Sequence, residues 1–334
     1  MQIKLPFSKF QGAGNDFVLI DALDLATSKD GAALLSSWQQ ACCQLALKLC
    51  DRHKGIGADG LILVLPKEPG AHFDSATKTF YKECREQLIA AYPDGAAADI
   101  SWIYTNSDGS PAQTCGNGLR CLARFAFDKK QIEQNNFKVA TACGHVQVFM
   151  SDKIKVDMGS PELDAAKIPV TVTSSSASEP VIKQKINDIE LTCVSMGNPH
   201  CVNFDSPIWS EPDAKRQFLQ IAEDLQKHPA FPQSVNVEFI RTINENTLEC
   251  YVIERGCGPT LACASGAAAC VVAAVLEQRV EKDKLIDVIM PGGTLFVKWS
   301  SKTNSVQISG EASFVYSGVI EFELAGVKIE VGCS

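Results

Sequence analysis

The stretch AQTCGNGLRC (residues 112–121) returns in altered form as TLACASGAAAC (residues 260–270), so that Cys263 follows Cys115 by 148 residues. After each cysteine comes a segment rich in alanine, leucine and other apolar residues, which predicts a helix that begins at the cysteine. The chain therefore carries one small structural device twice, and this duplication decides the fold prediction.

Two further residues occupy matching places in front of the cysteines. Asn106 stands nine residues before Cys115 and Glu254 nine residues before Cys263, each at the end of a run rich in β-forming residues. The match predicts that both lie at the same end of equivalent strands, close to the helix that follows.

Other landmarks keep the same order in the two halves. They are Gly144 and Gly293, each of which opens an alternating strand; GAGNDFVLID (12–21) and MGNPHCVNFD (196–205); and ADGLILV (58–64) and SVNVEFI (234–240). Although any one such pair recurs by chance, their common order predicts a duplicated α+β unit related by a pseudo-two-fold axis.

The predicted fold is α+β with two pseudo-symmetric lobes, residues 1–159 and 160–312. Each lobe is a curved, antiparallel-rich sheet wrapped around the central helix that begins at its cysteine, and the active site is expected in the cleft between the lobes. A length of 334 residues suits two lobes of ordinary domain size.

Composition excludes several classes of protein. The net charge of −8 without a long Lys/Arg run argues against a nucleic-acid partner, and no apolar run is long enough to span a membrane. The first residues resemble no targeting leader, so a cytoplasmic location is expected. In that compartment the 14 cysteines are expected to be free thiols. The sequence lacks a pair of CxxC units, so it predicts no metal site.

Two helix N-termini that meet at one point form a binding site for an anion, and a carboxylate is the natural small one. The expected donors are the backbone N–H groups of the residues after the two cysteines, namely Gly116, Asn117, Ala264 and Ser265. The helix N-terminus is also expected to lower the pKa of each thiol.

A carboxylate held in this way would have its α-carbon between Cys115 and Cys263. One thiolate would remove the α-hydrogen while the opposite thiol delivers its own proton, which inverts the configuration without a cofactor. His200 and Glu254, which occupy register-matched positions, are the candidates to tune the two thiols.

The motifs resemble those of the diaminopimelate epimerases over nearly the whole chain. The matching stretches are KFQGAGNDFVLID (9–21), NSDGSPAQTCGNGLRC (106–121), VSMGNPHCV (194–202), ERGCGPTLACASGA (254–267) and MPGGTL (290–295). The resemblance implies cofactor-independent conversion of LL- to meso-2,6-diaminopimelate, a diamino diacid, in lysine and peptidoglycan biosynthesis.

By position, the resemblance makes Cys115 and Cys263 the acid/base pair and His200 and Glu254 the residues that assist them. It assigns substrate binding to Asn15, Asn106, Asn198, Asn236 and Arg255. It further implies a homodimer and a last strand, residues 313–334, that returns to the first lobe.

Four departures from the family pattern keep other substrates open. Gly60 replaces a usual glutamine, Pro259 a usual glutamate and Ala264 a usual glycine, and the segment 66–103 is longer than expected. The nearest alternative is a cofactor-independent racemase or epimerase of another amino acid, such as histidine, on the same fold. Retention of Arg255 and of the asparagines argues against it.

A second alternative is a catalytically silent binding paralogue, and it predicts the loss of one thiol, whereas both are present. A nicotinamide-binding site is disfavoured because the motif GAGNDF lacks the third glycine and precedes its strand.

Overall fold

The computed structural model describes residues 2–112, 114–171 and 178–323. These residues form two compact units, of which one holds the described residues up to Ile154 and from Glu311 onward, and the other holds Lys155–Gly310. The sequence analysis placed the two boundaries after residues 159 and 312, five and two residues later than this division.

In chain order the first elements are β1 (Gln2–Gly12), β2 (Asn15–Asp21), α1 (Ala22–Ala26), α2 (Lys29–Ser36), α3 (Trp38–Leu49), β3 (Gly60–Pro66), α4 (Ser75–Leu88), β4 (Ile100–Asn106), α5 (Gly116–Asp128), β5 (Asn136–Thr141) and β6 (Gly144–Phe149). The following elements are β7 (Ile154–Asp157), β8 (Gln184–Ile186), β9 (Ile189–Ser195), β10 (Pro199–Phe204), α6 (Ala214–Gln226), β11 (Asn236–Asn244), β12 (Thr247–Glu254), β13 (Gly258–Pro259), α7 (Ala264–Leu276), β14 (Ile286–Met290), β15 (Gly293–Trp299), β16 (Val306–Gly310) and β17 (Ser313–Glu323).

Both units repeat one series of strand pairings. From β1 to β6, neighbouring strands pair antiparallel, parallel, antiparallel, parallel and antiparallel. The same series runs through β9, β10, β11, β12, β14 and β15. The predicted α+β class and the duplication of the unit are therefore confirmed.

The end of the described chain joins the sheet of the first unit. Strand β17 pairs antiparallel with β1, from Gln2 opposite Glu323 to Gln11 opposite Ser313. The resemblance implied a strand over residues 313–334, of which residues 324–334 lie outside the described part of the chain.

The strand register identifies equivalent residues in the two units. Phe17 on β2 lies opposite Gly60 on β3, and His200 on β10 lies opposite Asn236 on β11. Because both pairs stand at the start of the parallel ladder, Phe17 corresponds to His200 and Gly60 to Asn236.

The next antiparallel ladder gives two further equivalences. Ile62 on β3 pairs with Tyr104 on β4, and Glu238 on β11 pairs with Val252 on β12. The buried position that holds an isoleucine in the first unit therefore holds a glutamate in the second.

A central helix packs on each sheet, as the sequence predicts. Helix α5 contacts β1, β2 and β3, and α7 contacts β9, β10, β11 and β15. Nearly all of the first eleven residues of α7 are buried, because the sequence is a run of alanine and valine with no charged side chain. The predicted helices after Cys115 and Cys263 are confirmed.

The long segment 66–103 forms an outer helical layer of the first unit. Its helix α4 packs with α1, α2 and α3 in one apolar cluster, which includes Trp38 and Tyr81. The Tyr81 hydroxyl donates to the carbonyl of Pro66, and Arg85 donates to Ser101 Oγ. In the second unit a two-residue turn joins the equivalent strands β11 and β12, so this layer is an addition to the repeated unit.

Gly60 is explained by an aromatic neighbour. A Cβ atom at residue 60 would lie 2.4 Å from Cε2 of Tyr104 and 3.0 Å from the carbonyl oxygen of Thr105. A glutamine cannot occupy this position while the Tyr104 ring is there, so the departure from the family pattern has a steric cause.

We predict that Gly60→Ala lowers the free energy of unfolding by about 1–3 kcal/mol, because overpacking forces neighbours from their positions. In a Tyr104→Ala background the same substitution is expected to cost less, since the ring is gone. Urea denaturation of the four proteins in this cycle measures both costs. Equal costs in the two backgrounds would contradict the steric explanation.

Candidate active site

Each predicted thiol is the N-cap of a central helix. Cys115 has an extended backbone (φ −143°, ψ 112°), and its Sγ accepts a hydrogen bond from the N–H of Gly118 at 3.5 Å. Cys263 has the same geometry (φ −119°, ψ 116°), and its Sγ accepts from the N–H of Gly266 at 3.3 Å. The prediction that each cysteine caps a helix start is confirmed.

The predicted anion donors occupy the first turns of these helices. Gly116 and Asn117 are the first two residues of α5, and Ala264 and Ser265 are the first two of α7. N–H groups at these positions have no acceptor within an α-helix, and the helix dipole favours a negative charge in front of them. Because Ala264 has helical backbone geometry, its methyl group introduces no backbone strain.

A chain of amide hydrogen bonds starts at the Cys115 sulfur. Cys115 Sγ lies 3.6 Å from Oδ1 of Asn15, which also accepts from Nδ2 of Asn117 at 3.3 Å. Nδ2 of Asn15 donates to Asp59 Oδ2 at 2.7 Å. Asn15 follows Gly14, whose φ of 79° requires glycine, so the Gly-Asn turn aims the amide at the thiol.

A partly exposed ion cluster holds Asp59 in place. Arg52 bridges Asp16 and Asp59, and Lys9 lies 2.8 Å from Asp16. Burial acts to raise the pKa of Asp16, but hydrogen bonds from Arg52 and Lys9 outweigh burial and lower it. The cluster contains two cations and two anions, so it adds no net charge beside Cys115. Sequence reasoning missed its role, although Asp16 and Asp59 lie within the quoted motifs.

Arg120 is a second residue that the sequence analysis missed. Its side chain is fully buried, and it donates from Nη2 to Asn117 Oδ1 at 2.9 Å and from Nη1 to the Gly116 carbonyl at 3.4 Å. No carboxylate in the described part of the chain forms an ion pair with it, and burial lowers its pKa. No local pattern marks it in the sequence, because its burial depends on how α5 is oriented in the fold.

Asn106 lies at the end of β4, as predicted. Its Nδ2 donates to Ser110 Oγ at 3.0 Å, and its backbone N–H donates to the Ser110 carbonyl at 2.9 Å. The structure therefore holds Asn106 in a tight turn ahead of α5.

Two carboxylates, Glu254 and Glu238, act on the Cys263 thiol, which is 6% exposed. Burial raises its pKa well above the ordinary value, Glu254 and Glu238 raise it further, and hydrogen bonds from Ser265 and Gly266 oppose them. The sequence prediction of a lowered pKa is therefore wrong for Cys263 in the substrate-free protein. The helix N-terminus lowers the thiol pKa by less than burial and the two carboxylates, which repel a thiolate, together raise it.

His200 and Glu238 form a fully buried pair. His200 Nδ1 lies 2.6 Å from Glu238 Oε1, and His200 Nε2 lies 2.9 Å from Asn198 Oδ1. Burial raises the pKa of Glu238, and His200 opposes that rise. The sequence analysis named His200 and Asn198 but not Glu238, because a glutamate in a strand reads as a surface residue.

Asn236 connects Arg255, which follows the end of β12, to Pro199 at the start of β10. Its Oδ1 accepts from the backbone N–H of Arg255 at 2.8 Å, and its Nδ2 donates to the Pro199 carbonyl at 3.0 Å. The exposed Arg255 side chain donates from Nη1 to the Gln233 carbonyl at 2.8 Å. Pro259 lies in the short strand β13, paired with Ile253 of β12.

The structure thus assembles the predicted residues as two half-sites, one in each unit. The first contains Asn15, Cys115, Gly116 and Asn117, with Asn106 at the preceding strand end. The second contains Asn198, His200, Asn236, Glu254, Arg255, Cys263, Ala264 and Ser265. Their roles in a reaction, and their meeting in one cleft, stay predictions.

The described residues contain no group of three or more His, Cys, Asp or Glu side chains arranged to hold a metal ion. None of their helices combines the length and apolar character that a membrane crossing requires.

Comparison with known sequences gives one consistent result. The family model described as diaminopimelate epimerase matches residues 7–163 and 192–315. A diaminopimelate epimerase of Synechocystis sp. is 37% identical over 328 residues, covering 95% of this chain and 99% of the relative. The chloroplastic diaminopimelate epimerase of Oryza sativa subsp. japonica is 36% identical, covering 94% of this chain and 79% of the relative.

Solved structures share the fold at low identity. A Bacillus anthracis phenazine biosynthesis protein of the PhzF family has a TM-score of 0.59 at 12% identity, covering 95% of this chain and 99% of its own. A hydroxyproline epimerase from Agrobacterium vitis has a TM-score of 0.57 at 14% identity, covering 95% and 91%. These likenesses support the two-lobed α+β fold alone.

The buried pair His200–Glu238 gives a prediction on stability. In the first unit its two positions hold Phe17 and Ile62, so His200→Phe with Glu238→Ile copies an apolar pair that the fold already accepts. Each single substitution leaves one polar partner buried alone and is expected to cost about 3–5 kcal/mol.

The double variant is expected to cost clearly less than the sum of the two single variants, because neither polar partner remains. Urea denaturation of the four proteins measures the coupling. Additive costs would show that the two side chains do not stabilise each other.

Proposed function

The chain belongs to the diaminopimelate epimerase family, and we propose that it interconverts LL- and meso-2,6-diaminopimelate in lysine and peptidoglycan biosynthesis. The observation that carries the proposal is the pair of thiol-capped helix N-termini at Cys115 and Cys263, one in each repeat of a duplicated unit. A duplicated acid/base group suits a reaction that removes a proton from one face of a carbon and returns it to the other.

The proposed reaction moves two protons and needs no cofactor. One cysteine thiolate takes the α-hydrogen as a proton, and the electron pair of the broken C–H bond passes to the α-carbon and its carboxylate. The thiol on the opposite face then gives its proton to the α-carbon, which forms the inverted C–H bond and leaves a thiolate. The reverse reaction exchanges the two roles.

The carbanion requires electrostatic stabilisation. We propose that the reacting carboxylate binds at the helix N-termini, where the N–H groups of the first turns stabilise the charge that develops on it. In this scheme Asn15 and Asn117 orient Cys115 and the first turn of α5, because their amides form one chain with the thiol.

Substrate selection is proposed to depend on the distal half of the diamino diacid. Arg255 is exposed and its backbone is held by Asn236, so its guanidinium can form a bidentate pair with the distal carboxylate. Asn106 and Asn198 offer donors and acceptors for the ammonium and carboxylate groups. A monocarboxylic amino acid would leave these groups unpaired.

The proposed setting is the cytoplasm, where a reducing environment keeps thiols free. Among the described residues, the exposed Cys43 and Cys143 are free thiols. Small diacids are the proposed partners, together with a second copy of the chain.

We predict that the enzyme in deuterated water incorporates deuterium at the α-carbon of LL-diaminopimelate while meso product forms. Cys115→Ala and Cys263→Ala should each lower the rate of epimerisation by about 10²- to 10⁴-fold, because each removes an acid/base group. Mass spectrometry follows the deuterium, and chiral chromatography follows the product.

Cys257→Ala is the matched control, since Cys257 is an exposed cysteine in the same segment as Cys263. Its rate should equal that of the wild type. A wild-type protein that exchanges the α-hydrogen of histidine but not that of diaminopimelate would replace the proposed substrate while keeping the thiol chemistry. No exchange with either substrate would reject catalysis by this chain.

A homodimer is proposed to form through strand β17. Four apolar side chains of this strand are 41–61% exposed: Phe314, Val315, Tyr316 and Val319.

We predict a dimer in light scattering and a shift toward monomer in Val319→Asp, because a charge at the interface disfavours association. Leu285→Asp, at a similarly exposed leucine of the other unit, is the control. A wild-type monomer at micromolar concentration would contradict the prediction.

A further inference from the structure

The two half-sites share a backbone but differ in buried charge. The strand register makes His200 equivalent to Phe17 and Glu238 equivalent to Ile62. All four side chains are fully buried, so the second unit carries a polar, ionisable pair where the first unit is apolar.

Glu238 and Ile62 lie beneath the first turn of their central helices. A Cβ atom at Gly266 would lie 2.9 Å from Glu238 Oε1, and a Cβ atom at Gly118 would lie 3.5 Å from Ile62 Cδ1. These two glycines are the residues whose N–H groups donate to the sulfurs of the capping cysteines. The Glu238 carboxylate therefore approaches the Cys263 end of α7, and nothing charged takes the same place in the first unit.

A second difference lies on the helices themselves. Arg120 stands five residues after Cys115, and Ala268 stands five residues after Cys263. The fully buried guanidinium of Arg120 reaches back to the Gly116 carbonyl and to Asn117 Oδ1, both in the first turn of α5. Its partners are uncharged, so a full positive charge is buried close to Cys115.

A third difference lies at the strand ends. Asn106 ends β4, and Glu254 ends β12, nine residues before each cysteine. The Glu254 carboxylate raises the pKa of the Cys263 thiol together with Glu238, whereas Asn106, the matching residue of the first unit, is neutral.

Other charged groups also lie near the two half-sites. Near Cys115 the cluster of Lys9, Asp16, Arg52 and Asp59 contains equal numbers of cations and anions. Near Cys263, the His200 imidazole hydrogen-bonds the Glu238 carboxylate within the same buried pair. Arg255 is exposed to water, which screens its charge.

Hydrogen bonds to sulfur act in the opposite direction but are weaker. Asn15 Oδ1, 3.6 Å from Cys115, accepts from a thiol, and Ser265 Oγ, 3.4 Å from Cys263, can donate to a thiolate. Sulfur forms weak hydrogen bonds, whereas full charges in a buried environment act strongly on each other. Cys263 is also more buried than Cys115, which further favours its neutral form.

We infer that the substrate-free enzyme holds the shared proton on Cys263 and leaves Cys115 as the thiolate, and that Arg120 and Glu238 are the positioning residues that set this order. The inference rests on the proposed function, since only a two-thiol reaction gives the order a consequence. The free enzyme then acts as a base through Cys115 alone. Only the diastereomer whose α-hydrogen faces Cys115 meets the correct protonation state directly.

One turnover reverses the order. Cys115 receives the α-hydrogen as a proton, and Cys263 gives its proton to the opposite face and becomes a thiolate. A return of the proton from Cys115 to Cys263, through water or a second turnover in the reverse direction, restores the resting enzyme.

The test is the pH dependence of alkylation of the wild-type protein by iodoacetamide without substrate, resolved by mass spectrometry of the peptides that carry each cysteine. Only the thiolate reacts, so each midpoint reports the ionisation of one thiol. The Cys115 midpoint is expected about one pH unit or more below that of Cys263. Equal midpoints, or a lower midpoint at Cys263, would overturn the inference.

Two variants assign the cause. Arg120→Met is expected to raise the Cys115 midpoint by about one unit, and Glu238→Gln to lower the Cys263 midpoint by a similar amount. Arg124→Met, on the exposed face of the same helix, and Glu223→Gln, on the exposed face of α6, are the charge-matched controls and should leave both midpoints unchanged. Variants that lose stability without a shift of the midpoint would reduce Arg120 and Glu238 to structural roles and overturn their assignment.

The alkylation result is independent of the reaction assay. A wild-type protein that epimerises diaminopimelate with equal midpoints would reject the inference and keep the proposed function. Unequal midpoints without any epimerisation would reject the proposed function and show that the charge difference alone orders the thiols.

Discussion

The hydrogen bond from the third helical N–H to a cysteine sulfur is the constraint on which the rest of the structure depends. Gly118 donates to Cys115 and Gly266 to Cys263, so each thiol is fixed at the positive end of a buried helix. An N-cap side chain can accept this bond only from an extended backbone, and both cysteines have one. The sheet of each unit packs against its central helix and so holds the first helical turn in position beside the sulfur.

Both units keep this hydrogen bond and the strand pairings around it, whereas buried side chains and added helices differ between them. The order of antiparallel and parallel pairings is the same in both units, and a glycine with positive φ precedes the asparagine of each Gly-Asn turn, at Gly14 and Gly197. The side chains beneath the helices differ: a buried phenylalanine and isoleucine occupy the positions that a hydrogen-bonded His–Glu pair takes in the second unit. The helical layer added by the segment 66–103 packs on α1–α3, so this addition leaves the capped helix unchanged.

Local signals in the sequence predicted the fold and the core of each half-site. A turn, a cysteine and an alanine-rich run lie within a few residues of one another, and Gly144 and Gly293 directly open β6 and β15. Glu238 and Arg120 could not be found in this way, because their burial depends on strand register and helix orientation set by distant segments. The predicted lowering of the Cys263 pKa was wrong for the same reason. The helix dipole is readable from sequence, whereas carboxylates brought in by β11 and β12 are visible only in the folded chain.

A reaction that uses two identical groups as acid and base needs one proton for two sulfurs. If both thiols had identical surroundings, the two arrangements of that proton would be equally populated, and each diastereomer would meet half of the enzyme in the wrong state. A duplicated fold tends toward such equality, since it builds both half-sites on one plan. A buried arginine on α5 and a buried glutamate beneath the first turn of α7 remove this equality without moving a backbone atom, because each changes the electrostatic potential at one sulfur. Arg120 and Glu238 are therefore the positions at which a pseudo-symmetric fold makes its two thiols unequal, so that one sulfur holds the proton in the resting enzyme.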